Sequence, residues 1–260
     1  MERVSVIIPA YNIGGYLEEA INSALQQTYP VHEVIVVNDG STDGTEAVLQ
    51  RFATNPLVRS ITTPNKGVAA ARNRGIAAAT GNFIAFLDGD DVWLSNKLTE
   101  QLPLFSSPAT LAVYSDMELF GSQSGSYRAF NTATFYSGRI LPQLIRKNFV
   151  PTSTVVVRSE ALKQSGLFFE DPVRQAIAED YDLWLRLAVH GEYAYSDKML
   201  VRYRCHETQS SRSRSATYRA VAFLLGRLQR DPLFAEYQCL LILQRVRYMV
   251  RYYFARILCA

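Results

Sequence analysis

The sequence predicts an α/β fold, a mostly parallel central sheet flanked by helices, with a helical extension at the C-terminus. Three observations carry that reading. Short apolar, β-branched runs alternate with segments of helical spacing over the first ninety or so residues, and such alternation needs the right-handed crossovers that join parallel strands. Each run stops at a cluster of polar or charged residues. Beyond residue 218 the chain turns to long apolar stretches studded with arginine, helical by composition.

The elements follow in order. Val4-Ser5-Val6-Ile7-Ile8 is a strand closed by Pro9. After Ala10-Tyr11-Asn12, the residues Tyr16, Leu17, Ala20, Ile21, Ala24 and Leu25 recur at helical spacing. Val34-Ile35-Val36-Val37 is a second buried strand, ending in Asn38-Asp39-Gly40-Ser41. Asp43, three residues before Glu46, predicts a capping-box start for a helix through about Phe52. Val58 to Thr62 is a weaker third strand, and Asn65-Lys66-Gly67 leads into an alanine-rich helix from Val68 to Ala79. The fourth strand, Phe83-Ile84-Ala85-Phe86-Leu87, ends abruptly in Asp88-Gly89-Asp90-Asp91.

In such sheets ligands bind at the carboxyl ends of the strands. Four loops therefore converge: Pro9-Ala10-Tyr11, Asn38-Asp39, Asn65-Lys66 and Asp88-Gly89-Asp90. Three carboxylates within four positions repel one another, and a divalent cation carrying a phosphate would hold them together. The competing reading is an acid-rich helix start, with Ser95 capping a helix that begins near Asn96. The first turn reads Pro9-Ala10-Tyr11-Asn12-Ile13-Gly14, without the GxGxxG of a dinucleotide fold, and no GxxxxGK[ST] phosphate loop occurs.

Composition narrows the classes. With 260 residues and a 48% hydrophobic share the chain can build a real core, as one large domain or a domain plus an extension. A net charge of +3 does not argue for a nucleic-acid partner. Cys205, Cys239 and Cys259 are scattered without CxxC spacing, which suggests a reducing compartment and no zinc site. The N-terminal apolar run is too short for a signal peptide and no run of 18 apolar residues predicts a spanning helix, so a cytoplasmic location is expected, with the inner face of the membrane left open.

These motifs together resemble the family 2 inverting glycosyltransferases of the GT-A, Rossmann-like fold. Val4 to Asn12, Val37 to Asp43, Asn65-Lys66-Gly67 with Ala71-Arg72-Asn73, and Phe86 to Asp91 stand in the family's order. Ala178-Glu179-Asp180-Tyr181-Asp182-Leu183-Trp184-Leu185-Arg186 is similar to its acidic motif before a Leu-Trp-Leu helix. The resemblance covers roughly residues 1–206, taken as the glycosyltransferase domain, and leaves 207–260 as a basic loop and helical extension.

What the resemblance implies is specific. Pro9, Ala10 and Tyr11 would line the nucleotide, Asp39 would bond the base, and Lys66 would lie beside base or phosphate, with Asp88 and Gly89 completing the nucleotide site. Asp88 and Asp90 match the DxD pair that holds Mn²⁺ or Mg²⁺, Asp90 more directly, and Asp180 matches the general base. The Tyr203-Arg204-Cys205-His206 run resembles a strand leading to a histidine near metal and diphosphate, against which stands a plain surface histidine. Against these stand an N-cap-like turn for Asp39 and a solvated surface charge for Lys66. The implied activity is metal-dependent transfer of a sugar from a nucleotide diphosphate-sugar, UDP-sugars being the commonest donors in the family, to a glycan or lipid-linked acceptor hydroxyl in polysaccharide or glycolipid synthesis. The alternative is a non-catalytic nucleotide-sugar-binding or membrane-scaffold protein.

Beyond Trp93 the pattern predicts a strand from Leu111 into Glu118, a hairpin tip over Gly121 to Ser126, a short helix from Ile140 to Lys147, and a loop at Pro151 to Thr154 entering a strand. Ser159 would cap a helix ended by Gly166. A core helix starts near Asp180 and closes at Gly191; its positive N-terminal end would hold the acids there ionised and lower their pKa. Met199 to Arg204 is a strand. Ser210 to Ser215 reads as a basic loop, over a diphosphate or simply a linker. In the tail, Tyr248, Met249, Tyr252, Tyr253 and Phe254 suit a membrane headgroup zone and the arginines an anionic leaflet, though Arg245 and Arg256 fall on a different side from Arg247 and Arg251. Two helices packed on the catalytic domain, or on a second subunit in a homo-oligomer, fit as well.

Overall fold

The computed structural model describes residues 2–126, 134–170, 178–206 and 213–257. Its strands are β1 Val4–Ala10, β2 Glu33–Asn38, β3 Val58–Thr62, β4 Phe83–Phe86, β5 Val92–Trp93, β6 Thr110–Gly121, β7 Gly125–Ser126, β8 Val156–Arg158 and β9 Glu192–Cys205. The helices are α1 Gly14–Leu25, α2 Thr45–Arg51, α3 Val68–Ala78, α4 Lys97–Gln101, α5 Leu141–Arg146, α6 Ser159–Ser165, α7 Glu179–His190, α8 Arg214–Leu228 and α9 Gln238–Ile257. Among the described residues the strands form one sheet in the order β3-β2-β1-β4-β8-β6-β9-β5, with β7 paired to β6. The strands β1 to β4 are mutually parallel, as are β6 and β9, while β8 and β5 run against their neighbours.

Both faces of the sheet are covered, which explains why β1 and β2 are apolar at successive positions rather than alternating with polar ones. Val4, Val6, Ile8 and Ala10 share a core with Leu17, Ala20 and Ile21 of α1 and Val48 and Leu49 of α2. Ile7, Ile84 and Phe86 point the other way, into a core with Ala69 of α3 and Leu183, Trp184 and Leu187 of α7. From β1 the chain builds β2 and β3 on one side and then crosses to place β4 on the other. The strand order reverses between β1 and β4, and the crevice for a ligand opens there, at the ends carrying Tyr11 and Asp88.

Several local readings change. Glu46 does not close a capping box: it accepts bonds from Asn38 Nδ2 (3.1 Å) and Gln50 Nε2 (2.9 Å), while Asp43 accepts from the backbone N–H of Thr45 and Gly14, both at 2.9 Å. Ser159 is already inside α6, whose N-cap is Arg158, and Gly166 ends that helix at φ +79°. A helix does begin beside Asn96, but it makes no side-chain cap bond and the acids at 88–91 lie before β5, outside it. Of the expected basic loop, residues 207–212 lie outside the described residues, and Arg214 and Ser215 belong to α8, capped by Ser213.

The tail packs on the body of the chain. Val221, Leu225 and Leu228 of α8, Phe234 between the helices, and Leu241 and Tyr248 of α9 join the core that contains Leu144 and Trp184. No helix among the described residues is long and apolar enough to cross a membrane.

Candidate active site

Three loops at the open end of the sheet are stitched by short polar side chains. Asn12, at φ +52°, donates its N–H to Ser41 Oγ (3.0 Å) and accepts the N–H of Thr42 on its own Oδ1 (2.8 Å). Asp39 is buried at the end of β2 and accepts the backbone N–H of Lys66 (2.9 Å) and of Gly67 (2.8 Å), so it anchors the loop that starts α3. Each carboxylate oxygen has a second lone pair, and Asp39 can serve the loop and a further donor together. Pro9 and Ala10 are buried in β1; Tyr11 is half exposed, and the Lys66 side chain is exposed.

The acidic loop after β4 divides its carboxylates among different partners. Asp88 accepts from Arg72 Nη2 at 2.7 Å, and Arg72 uses Nη1 to reach Glu179 at 2.5 Å. This buried guanidinium of α3 therefore ties the acidic loop to the start of α7, and the two carboxylates push its pKa up against the opposing effect of burial. Asp90 Oδ2 lies 2.9 Å from His206 Nε2. Asp91 is almost fully buried, accepting from Ser153 Oγ (2.6 Å) and the N–H of Arg204 (3.0 Å). Burial first, then the neighbouring carboxylates, raise the pKa of both Asp90 and Asp91. The mutual repulsion read from the sequence is thus present in the fold. Gly89, buried between them, has a chemical reason to be glycine: a Cβ would stand 3.1 Å from the Pro9 carbonyl and 2.2 Å from Ile13 Cδ1.

The turn Thr152–Thr154 connects the two halves of the site. Ser153 binds Asp91 and accepts the N–H of Asp88 (3.1 Å), and Thr152 donates to Asp180 Oδ2 at 2.9 Å. The second oxygen of Asp180 accepts the N–H of Tyr181 (2.6 Å). The expected lowering of the Asp180 pKa does not occur. Burial, followed by the charge of Glu179, outweighs Arg72, Thr152 and the Tyr181 N–H and raises it to about 6.

The site therefore unites four residues from three places, Asp88 and Asp90 on the loop after β4, His206 at the end of β9 and Asp180 at the start of α7, and adds residues to which sequence reading gave no role. Arg72 was legible only as part of a motif. Thr152 and Ser153 looked like loop residues, although three hydroxyls in a row before a buried strand are a signal that something polar needs donors. For a divalent cation, the Asp90 carboxylate and His206 imidazole supply hard oxygen and borderline nitrogen donors in a pocket of excess negative charge, which fits Mn²⁺ or Mg²⁺. No group of three or more His, Cys, Asp and Glu among the described residues is placed to hold an ion alone.

A mostly parallel sheet with its polar crevice at the β1/β4 reversal, an acidic loop on one side and an acid at a helix start on the other, is the architecture of the GT-A glycosyltransferases. The mannosyltransferase PcManGT of Pyrobaculum calidifontis, solved with GDP-Man and Mn²⁺, superimposes with a TM-score of 0.73 over 98% of this chain and 74% of that one, at 22% identity. Residues 1–349 of S. aureus TarS, solved with UDP-GlcNAc, give 0.69 over 88% and 67%, also at 22% identity. The pattern of Glycosyl transferase family 2 matches residues 5–166, and the chain belongs to that family. An uncharacterized glycosyltransferase of Rickettsia felis is 34% identical over 202 residues, 78% of this chain and 33% of its own length. Chondroitin synthase of Pasteurella multocida is 30% identical over 211 residues, 80% of this chain and 21% of that protein. The chain spans only part of the length of these curated relatives.

Proposed function

We propose that the chain transfers a sugar from a nucleotide diphosphate-sugar to an acceptor hydroxyl, inverting the anomeric centre, with a UDP-sugar as donor and a glycan or lipid-linked acceptor of polysaccharide or glycolipid synthesis. The observation that carries this reading is Asp180: a carboxylate with its pKa raised to about 6, oriented by Thr152, near the Arg72 guanidinium that binds Asp88. The solved structures with UDP-GlcNAc and with GDP-Man and Mn²⁺, and the polysaccharide synthase among the relatives, support the donor class and the metal.

In this reading Tyr11 and Lys66, both exposed at the mouth, take the base and a phosphate, and Asp39 adds a carboxylate at the back. Asp90 and His206 would hold a divalent cation, whose charge would supply electrostatic stabilisation for a leaving diphosphate. Arg72 keeps Asp88 and Glu179 paired, so that Asp180 is the acid of its helix start left to work. Thr152 orients one carboxylate oxygen while the acceptor's hydroxyl proton passes to Asp180 as its oxygen attacks the sugar from the face opposite the diphosphate.

Calorimetry with UDP, with and without Mn²⁺, tests the donor half on the protein and on Asp90→Ala. Metal-dependent affinity should vanish in the variant while its melting temperature stays close to the parent's, because Asp90 sits on a loop and not in a core. Unchanged metal-dependent affinity would remove Asp90 from the site.

A further inference from the structure

Helix α9 turns Leu241, Gln244 and Tyr248 into the core. At 3.6 residues per turn, the opposite side carries Ile242, Leu243, Val246, Val250, Tyr253 and Phe254 within an arc of about 120°. These six are 47–62% exposed, so a continuous apolar stripe faces solvent. Arg247 and Arg251 border one edge of that stripe, and Arg245 and Arg256 the other. The two groups of arginines that looked irregular in sequence are the two flanks of one apolar face. No Asp or Glu occurs between Gln238 and Ile257.

We propose that α9 lies flat on an anionic lipid bilayer, its apolar stripe at the acyl boundary and its arginines at the headgroup phosphates. The length of about 30 Å and the uninterrupted stripe suit an interfacial helix, and four arginines exclude one that spans. Charge chooses the occupant. A second copy docked on the same face would bring arginine flanks against arginine flanks with no acid on either helix, whereas an anionic leaflet neutralises both flanks at once. The inner face of α9 shares a core with Leu144 of α5 and Tyr181 of α7. The bilayer would then lie one helix layer behind Asp180, which, on the transferase reading above, suits an acceptor anchored in the membrane.

Vesicle co-sedimentation of the full chain tests this without any donor or acceptor. The protein should bind vesicles of phosphatidylglycerol and phosphatidylcholine, leave them at about 0.5 M sodium chloride, and bind phosphatidylcholine alone weakly. Arg247→Glu with Arg251→Glu should lower the partition coefficient about twenty-fivefold or more, from about fivefold for each arginine. Leu243→Ser, Val246→Ser and Val250→Ser together should do the same, and both variants should keep the parent's melting temperature because every altered side chain is exposed. Variants that bind as well as the parent, equal binding to neutral vesicles, or a dimer in analytical sedimentation that Val246→Glu dissolves, would each overturn the proposal. None of these results bears on metal-dependent nucleotide affinity, so the two readings fail separately.

Discussion

At Asp180 two effects of opposite sign meet. The N-terminal end of α7 favours the ionised carboxylate by about 0.3–1 kcal/mol. Burial and the adjacent Glu179 disfavour it by more, and the pKa stands near 6 instead of 3.8. That shift corresponds to about 3 kcal/mol at most, at 1.36 kcal/mol per unit. The folded chain holds this proton more tightly than the unfolded one. Its contribution to stability is therefore complete below pH 3.8 and is lost as pH rises through 6, so at pH 7 the ionised group is a burden on the fold. Asp180→Asn should accordingly be more stable than the parent at pH 7, by up to about 3 kcal/mol in urea denaturation, and this advantage should shrink by pH 4. The same change should lower turnover by about 10²–10⁴-fold with donor affinity kept. In the parent, turnover should rise about tenfold per pH unit up to pH 6 and then level. Near-normal turnover in the Asn variant would move the base elsewhere. Glu179 is a poor substitute, since Arg72 holds it at 2.5 Å. The sequence pointed to Asp180 by motif, but its burial and its Thr152 partner depend on a turn 28 residues away and left no local trace.

Elements with an unbroken period were legible. The strands β1, β2 and β4 and the helices α1, α3 and α7 stand where their patterns placed them, within a residue or two. β9 was visible only from Met199, although it begins at Glu192. The reason is a register shift: Ser115 faces Ser196 but Asp116 faces Met199, so Asp197 and Lys198 bulge out, exposed, and break the two-residue period. β5, two residues long, has no period to show. The fit of α3 on β1 gives a sharper element-scale expectation. A Cβ on Gly75 would meet Ile7 Cγ2 at 2.5 Å and Cγ1 at 3.3 Å. Replacing a helical glycine by alanine gains about 1 kcal/mol of propensity, while overpacking costs about 1–3 kcal/mol. Ile7 is β-branched, fully buried in the central strand, and has little rotamer freedom with which to yield. The clash should win, and Gly75→Ala should melt below the parent in calorimetry. A higher melting temperature would mean that α3 can slide on the sheet.

For the whole molecule, sequence motifs and packing divide the chain differently. The motifs stop at His206, so residues 207–260 read as an extension. In the fold, however, Val221, Leu225, Leu228, Phe234, Leu241 and Tyr248 belong to the core that also holds Trp184 and Tyr181 behind Asp180. Phe234, Leu225, Leu228 and Leu241 are completely buried. Truncating one such side chain to alanine costs about 2–5 kcal/mol, and a domain has only about 5–15 kcal/mol to lose. A chain ended near Ser211 forfeits all of them and exposes the apolar surfaces of α5 and α7 against which they pack. It is expected to be insoluble, or to lose its cooperative melting transition together with the metal-dependent UDP affinity proposed for the parent. A truncated chain that melts cooperatively and binds UDP like the parent would show that residues 1–206 fold alone, and that α8 and α9 are carried by the catalytic domain without supporting it.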